Sequence, residues 1–255
     1  TFMTETRNAK DLWQNIAFVW SILRSPIRPD PEDVRIVRGA IDRWLGERGR
    51  HRVTAAVLGV TPELCHVDLP AGSRVLAIDK SPLMISVVWP GPLRASDAVL
   101  VAEWTAMPVA RSSVDLFLGD GCPAFFTPPD RLVAFFSEVR RHINATGRFI
   151  VRAFTQFDEP ETVVKIVEDV ESGHVRSFDV LKWRLLLAHQ RSPEEGALLS
   201  DAWRTFRDAW PRPYELGDRH GWTHAQIDTI EQWGAAHDRA WFETRAGFED
   251  ALLRA

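Results

Sequence analysis

Residues 53–64 read VTAAVLGVTPEL, and this stretch constrains the fold more than any other. Val53 to Leu58 is a short continuous run of apolar or β-favouring residues, which suits a strand buried on both faces. Gly59 then turns the chain. Thr61-Pro62-Glu63 carries the marks of a helix start: a hydroxyl at the N-cap, proline at the first helical position and an acid in the first turn. A strand, a tight turn and a helix in immediate succession predict a βαβ unit of a parallel sheet. Ligands of such sheets bind beyond the carboxyl ends of the strands, so the Gly59 turn is the first candidate site.

The rhythm repeats downstream. Ser73 to Ile78 predicts a second strand ending at Asp79-Lys80-Ser81-Pro82, Ala98 to Ala102 a third closing on Glu103-Trp104, and Val114 to Leu118 a fourth closing on Gly119-Asp120-Gly121-Cys122-Pro123. An amphipathic helix over 128–142 turns Leu132, Phe135, Phe136 and Val139 inward, and Gly147 leads to a fifth strand from Arg148 to Phe154. Five such repeats predict an α/β fold with a doubly wound, mostly parallel sheet. Its α/β core spans 51–154.

Ahead of the sheet, 3–50 reads as a helical segment. Trp13, Ile16, Ala17 and Trp20 share one helical face, the run Arg24-Ser25-Pro26-Ile27-Arg28-Pro29 breaks the helix, and Asp30-Pro31-Glu32-Asp33 restarts one with a stripe of Val34, Val37, Ile41, Trp44 and Leu45. The plain reading is a layer covering the sheet. The sharper one makes Trp13 and Trp20 part of a lid. Thr1-Phe2 ahead of Met3 reads as a cloning remnant and is set aside.

After the fifth strand, 155–221 is helical and foreign to a minimal sheet. Asp158-Glu159-Pro160-Glu161 predicts one helix start, Phe178 to Leu187 lies in a second helix, and Ser192-Pro193-Glu194-Glu195 predicts a capping box for a third that ends near Trp210-Pro211. An insertion there stands at the carboxyl edge of the sheet, as a cap. Trp183, Trp203, Phe206, Trp210 and Tyr214 either line its pocket or form its core, the core being the simpler reading. Arg152 and Arg184 either meet an acidic substrate or pair on the surface. The last part of the core, 222–255, reads as a helix capped by Thr223 through Ile227, Ile230 and Trp233, a sixth strand over 240–244 and a final helix from Phe248 to Leu253. Either a last strand is supplied differently or the sheet edge is exposed, which would invite a homodimer.

Composition excludes several classes. The 255 residues are 45% hydrophobic and 26% charged, with a net charge of −4, so no general affinity for nucleic acid is expected. Two cysteines, Cys65 and Cys122, give no disulfide framework, and no apolar run reaches membrane-spanning length, which predicts a cytoplasmic protein. His220 and His224 have the spacing of a helical metal pair, but they cross a helix start and lack a third ligand. No metal is expected.

Asp79 follows Gly59 by 20 positions, the spacing at which an acid after the second strand meets the two hydroxyls of a ribose bound over the first turn. The alternative role for Asp79 is a helix N-cap. In this order and spacing, residues 52–154 resemble the class I S-adenosylmethionine-dependent methyltransferase family, and the LGVTPEL turn resembles that of a bacterial branch of it. The resemblance implies that Leu58, Gly59, Val60, Thr61 and Pro62 hold the amino-acid end of S-adenosylmethionine. Asp79 would take the ribose with Lys80 beside it, and Met84 would pack near the adenine. Glu103 and Trp104 would meet the adenine edge, while Asp120 and Gly121 would face the reacting centre. Asp120 is a candidate general base, as is one of His220, His224 and His237, with His224 preferred. Cys122 beside the site is either a nucleophile or an inert wall.

Two departures from the family pattern narrow the expectation. Its usual first turn has two or three glycines, whereas here Gly59 stands alone; this also argues against a nicotinamide dehydrogenase, whose pyrophosphate needs the close approach that GxGxxG allows. The turn after strand four lacks the Asn/Asp-Pro-Pro-aromatic pattern of enzymes that methylate base amino groups. The leading reading is therefore a methyltransferase acting on a small-molecule acceptor. A relic that keeps the fold as a regulatory or binding partner is the second. A methyltransferase for RNA or protein, with Arg and Lys clustered on its cap, is the third.

Overall fold

A computed structural model describes residues 12–49 and 51–255, with side chains from residue 16 onward. The first residues, including Thr1-Phe2-Met3, and the Trp13 side chain lie outside the described set.

Five strands form one all-parallel sheet: β1 (Thr54–Leu58), β2 (Arg74–Asp79), β3 (Ala98–Val101), β4 (Val114–Asp120) and β5 (Ile143–Arg152), in the order β3-β2-β1-β4-β5. This is a Rossmann-like sheet of the methyltransferase type, wound outward in both directions from β1. Side chains on a strand alternate between faces, so β1 feeds two cores. Ala55 and Val57 pack with Leu116 and Leu118 against α2 (Pro31–Arg48), α3 (Pro62–Cys65) and α4 (Pro82–Val88). Ala56 and Leu58 pack with Phe117 against α5 (Asp130–His142) and α11 (Arg245–Arg254).

Several predicted boundaries move. β5 begins at Ile143, ahead of Gly147, because a register irregularity between Val114 and Leu116 lets both Ile143 and Arg148 pair with β4. The acidic run 158–161 starts no helix; Thr162 caps α6 (Val163–Glu171), its side chain accepting from Lys165 N–H. Ser192 does accept Glu195 N–H at 3.3 Å, but Gly196 N–H closes the turn on Ser192 O, and the chain then extends as β6 (Ala197–Leu198) before α8 (Leu199–Ala209). The sixth strand is only β7 (Arg239–Ala240), and it pairs antiparallel with β6 rather than joining the main sheet.

The cap has its own core. α6, α7 (Phe178–Ala188), α8, α9 (Pro213–His220) and α10 (His224–Asp228) bury Ile166, Phe178, Leu185, Phe206, Trp210 and Trp222 together. Of the cap aromatics, Phe206 and Trp210 are thus core residues, while Tyr214 is exposed. α1 (Leu12–Val19) lies between the cap and the sheet, with Ala17 buried beside Met84 and Val88 of α4.

At the amino ends of the strands, one carboxylate ties four segments together. Asp115 accepts Thr54 N–H at 2.8 Å, Asn144 Nδ2 at 2.5 Å and Arg48 at 3.2 Å. Asp115→Ala leaves those donors unpaired. It is expected to lower stability by about 2–3 kcal/mol, seen in urea as a lower midpoint with an unchanged slope.

Candidate functional site

The carboxyl ends of β1, β2 and β4 open into a cavity of about 230 Å³ roofed by α1 and the cap. β1 delivers Gly59, whose φ of +104° lies where only glycine is comfortable. Its N–H donates back to Ile78 O at 2.8 Å, which folds the turn flat over the end of β2. A Cβ at this position would stand 3.9 Å from Asp79 Oδ2 and 3.8 Å from Trp104 Cζ2, so turn, acid and indole meet at one point.

Asp79 ends β2 and is 8% exposed. Its Oδ1 accepts Ser81 N–H at 2.8 Å, and Ser81, not Asp79, caps α4 by accepting Met84 N–H. The N-cap alternative for Asp79 therefore gives way to a carboxylate fixed in the cavity wall. Trp104 is held by its indole N–H on Ile78 O at 2.6 Å and packs against Phe125 and Phe126. Lys80 and Glu103 form an exposed pair at 3.5 Å on the rim.

The structure brings Leu58, Gly59, Val60, Thr61, Asp79, Lys80, Met84, Glu103, Trp104, Asp120 and Gly121 to this one cavity. Pro62 alone of the expected cofactor residues does not line it. Thr61 makes no side-chain cap bond, and α3 is a single turn.

Asp120 is in the wall but engaged. Its Oδ1 accepts Arg152 Nε at 2.5 Å, and the same guanidinium reaches Asp33 Oδ2 at 3.1 Å and Pro26 O at 2.9 Å. Burial pushes the Asp120 carboxyl up, against the pull of Arg152. Arg152 thus serves the fold rather than an acidic substrate. Arg184 does likewise, held by Glu161 and Asp169.

His224 does not reach the cavity. It stacks on Tyr214 with ring centroids 4.3 Å apart, more than half exposed, because it opens α10 on the outer side of the cap. His220 stacks on Trp222 and His237 is exposed; no described histidine lines the cavity. Cys122 is fully buried in the α5 core rather than in the cavity wall, and burial pushes its thiol well up.

α1 supplies what the sheet cannot. Ile16, Val19 and Trp20 line the cavity, the Trp13 side chain lies outside the described residues, and α2 covers the sheet. Trp183 faces them from the cap. Lys182 and Thr229, which no sequence motif marks, also line it, as does Trp233, which the sequence marks only as a helix residue. Lys182 escaped because one lysine in a helix of mixed polarity reads as a solvated residue.

No family model matches the chain, and no curated protein does. Among solved structures, a Rhodobacter sphaeroides protein provisionally described as a Zn-dependent alcohol dehydrogenase is similar over 96% of this chain and 87% of its own, with 18% identity and a TM-score of 0.60. At that identity the likeness carries the fold alone. The sugar N-methyltransferase KedS8 from Streptoalloteichus aligns over 61% of this chain and 60% of its own, at 15% identity and TM-score 0.48. The CcbJ methyltransferase from Streptomyces caelestis aligns over 58% and 59%, at 13% and 0.45. The chain thus spans about 60% of the length of either methyltransferase.

Burial pushes the Cys65 thiol up to about 12, and Cys122 is buried more deeply still. Only thiolate reacts with a disulfide reagent. Native protein at pH 8 should leave both cysteines unmodified by dithionitrobenzoate, and urea should release two thiols; a fast-reacting native thiol would restore the nucleophile reading of Cys122.

Proposed function

We propose that the chain is an S-adenosylmethionine-dependent methyltransferase acting on a small-molecule acceptor. The observation that carries this reading is the meeting of the Gly59 turn, the Asp79 carboxylate and the Trp104 ring at the carboxyl ends of β1 and β2. The chemistry of that set suits an adenosyl group. A carboxylate accepts from vicinal ribose hydroxyls, Met84 and Trp104 offer apolar faces to a purine, and backbone N–H groups after Gly59 can meet a carboxylate.

S-adenosylmethionine would supply an electrophilic methyl group. Asp79 orients the ribose, the Gly59 turn fixes the amino-acid end, and Asp120 with Gly121 borders the space where the acceptor enters. α1 and the cap exclude water and align the acceptor. Alignment of this kind is worth up to about 7–11 kcal/mol in well-oriented systems, so such a site works without a strong base when the acceptor atom carries no proton that must leave first. Asp120, engaged by Arg152, serves better as a wall than as a base, and His224 is placed too far out to serve.

That engagement favours one alternative: a protein of this fold that binds the cofactor as a regulatory partner without turnover. The dehydrogenase reading fares worse, since Val60-Thr61-Pro62 puts bulk where a pyrophosphate needs glycine.

Calorimetric titration tests the reading. S-adenosylmethionine and S-adenosylhomocysteine should both bind in the micromolar range, and Asp79→Ala should weaken both by more than tenfold through loss of a charge-assisted contact. Unchanged affinity in the variant would move the ribose away from Asp79, and no binding at millimolar ligand would remove the methyltransferase reading.

A further inference from the structure

Beyond the strand ends the cavity is lined by apolar side chains, Ile16, Val19 and Trp20 of the N-terminal segment and Trp183, Leu186 and Trp233 of the helical layer, with Gln232 and Asp238 beside them. A single buried cation lines it among the described residues, Lys182 of α7, 1% exposed. Lys80, Arg131 and Arg239, the other cations of the lining, are exposed at its rim.

The surroundings of Lys182 fix what it can do. Its Nζ lies 2.6 Å from Asp179 Oδ1 and donates to Thr229 Oγ1 at 2.7 Å. The Thr229 hydroxyl spends its own proton on Gln226 O at 2.6 Å, so it can only accept from the lysine. The other Asp179 oxygen accepts Arg24 N–H at 2.5 Å. An ammonium has three protons, and the third finds no oxygen among the described residues. The rings of Phe178 and Trp233 flank it, each with its centroid 5.6 Å from Nζ. Burial pushes this ammonium down and Asp179 pulls it back up.

We infer that the third proton of Lys182 is the recognition point for the acceptor: an uncharged, ring-bearing apolar molecule whose hydroxyl or carbonyl oxygen accepts it. The walls call for an apolar body, and the indoles of Trp20, Trp183 and Trp233 offer aromatic faces on which a ring can pack. Charge balance requires neutrality, because Lys182 and Asp179 already sum to zero, and a buried carboxylate would leave an uncompensated negative charge in an apolar space. Trp20 and Trp183 each bury an indole N–H without a partner among the described residues, which adds donors but no acceptor to the same walls. Orphan indoles also occur away from the cavity, at Trp222 and Trp241, so Lys182 is the discriminating group. A site that buries a donor rejects the hydrocarbon analogue strongly, since the donor is then left unpaired. This inference deepens the methyltransferase reading and rests on it for the word acceptor, but the binding chemistry stands without it.

Equilibrium dialysis of the full chain tests it with two neutral pairs, acetophenone against ethylbenzene and 2-naphthol against naphthalene, and with the acids benzoate and 2-naphthoate. In at least one set the oxygenated neutral probe should bind tenfold or more tighter than its hydrocarbon, and tighter than the acid. Lys182→Met should abolish that preference while leaving hydrocarbon affinity within about threefold. Should the single variant fail to fold, Lys182→Met with Asp179→Asn removes both charges and keeps an acceptor for Arg24 N–H. A role confined to fastening α7 to the Arg24 loop predicts lower stability with the preference intact. Absence of a preference in both pairs, tightest binding of the acid, or a preference surviving in either variant overturns the assignment. S-adenosylhomocysteine dialysed against the same samples reports the cofactor site separately: its failure to bind, with the oxygen preference intact, would remove the methyltransferase reading and leave the Lys182 site standing.

Discussion

One guanidinium holds the roof of the cavity to its floor. Arg152 closes β5 and reaches three separate segments: Asp120 at the end of β4, Asp33 in the first turn of α2 and Pro26 O in the loop between α1 and α2. A parallel sheet by itself leaves its carboxyl ends open to solvent. Here a half-buried charge network anchors the N-terminal helices across that opening, and removing the cation would leave two partly desolvated carboxylates without their partner. The same network fixes one oxygen of Asp120 where it borders the cavity.

A fully buried pair repeats the device at the cap. Asp179 and Lys182 sit one turn apart on α7; the carboxylate takes the Arg24 amide and the ammonium takes Thr229. α1 and its following loop are thereby fixed on both sides, to the sheet through Pro26 and to the cap through Arg24. The cavity between them combines polar groups at the strand ends with aromatic and aliphatic side chains of the N-terminal segment and the helical layer. Such a mixture suits a polar cofactor and an apolar partner molecule brought together out of water.

The sheet was readable in the sequence because each strand is a short apolar run followed by a turn residue, a signal that depends on neighbours only a few positions apart. The meeting of Asp79 with the Gly59 turn was readable for the same reason, since parallel pairing of adjacent strands converts spacing into position. What escaped depends on distant partners. Ser192 gives a capping signature and does accept Glu195 N–H, yet no helix follows, because the chain is drawn into pairing with residues 239–240. Lys182 and Thr229 are 47 positions apart, and nothing local marks either as part of one site. His224 carried a local signal, a helix start with metal-like spacing, and the fold turned it outward.

The central claim is that the Gly59 turn, Asp79 and Trp104 form one adenosyl site. A crystal structure of the protein grown with S-adenosylhomocysteine addresses it most directly. The account predicts the ribose hydroxyls on the Asp79 carboxylate, the purine between Met84 and Trp104, and the thioether directed toward Gly121. A ligand bound elsewhere, or a ribose turned away from Asp79 with the cavity otherwise unchanged, would contradict it.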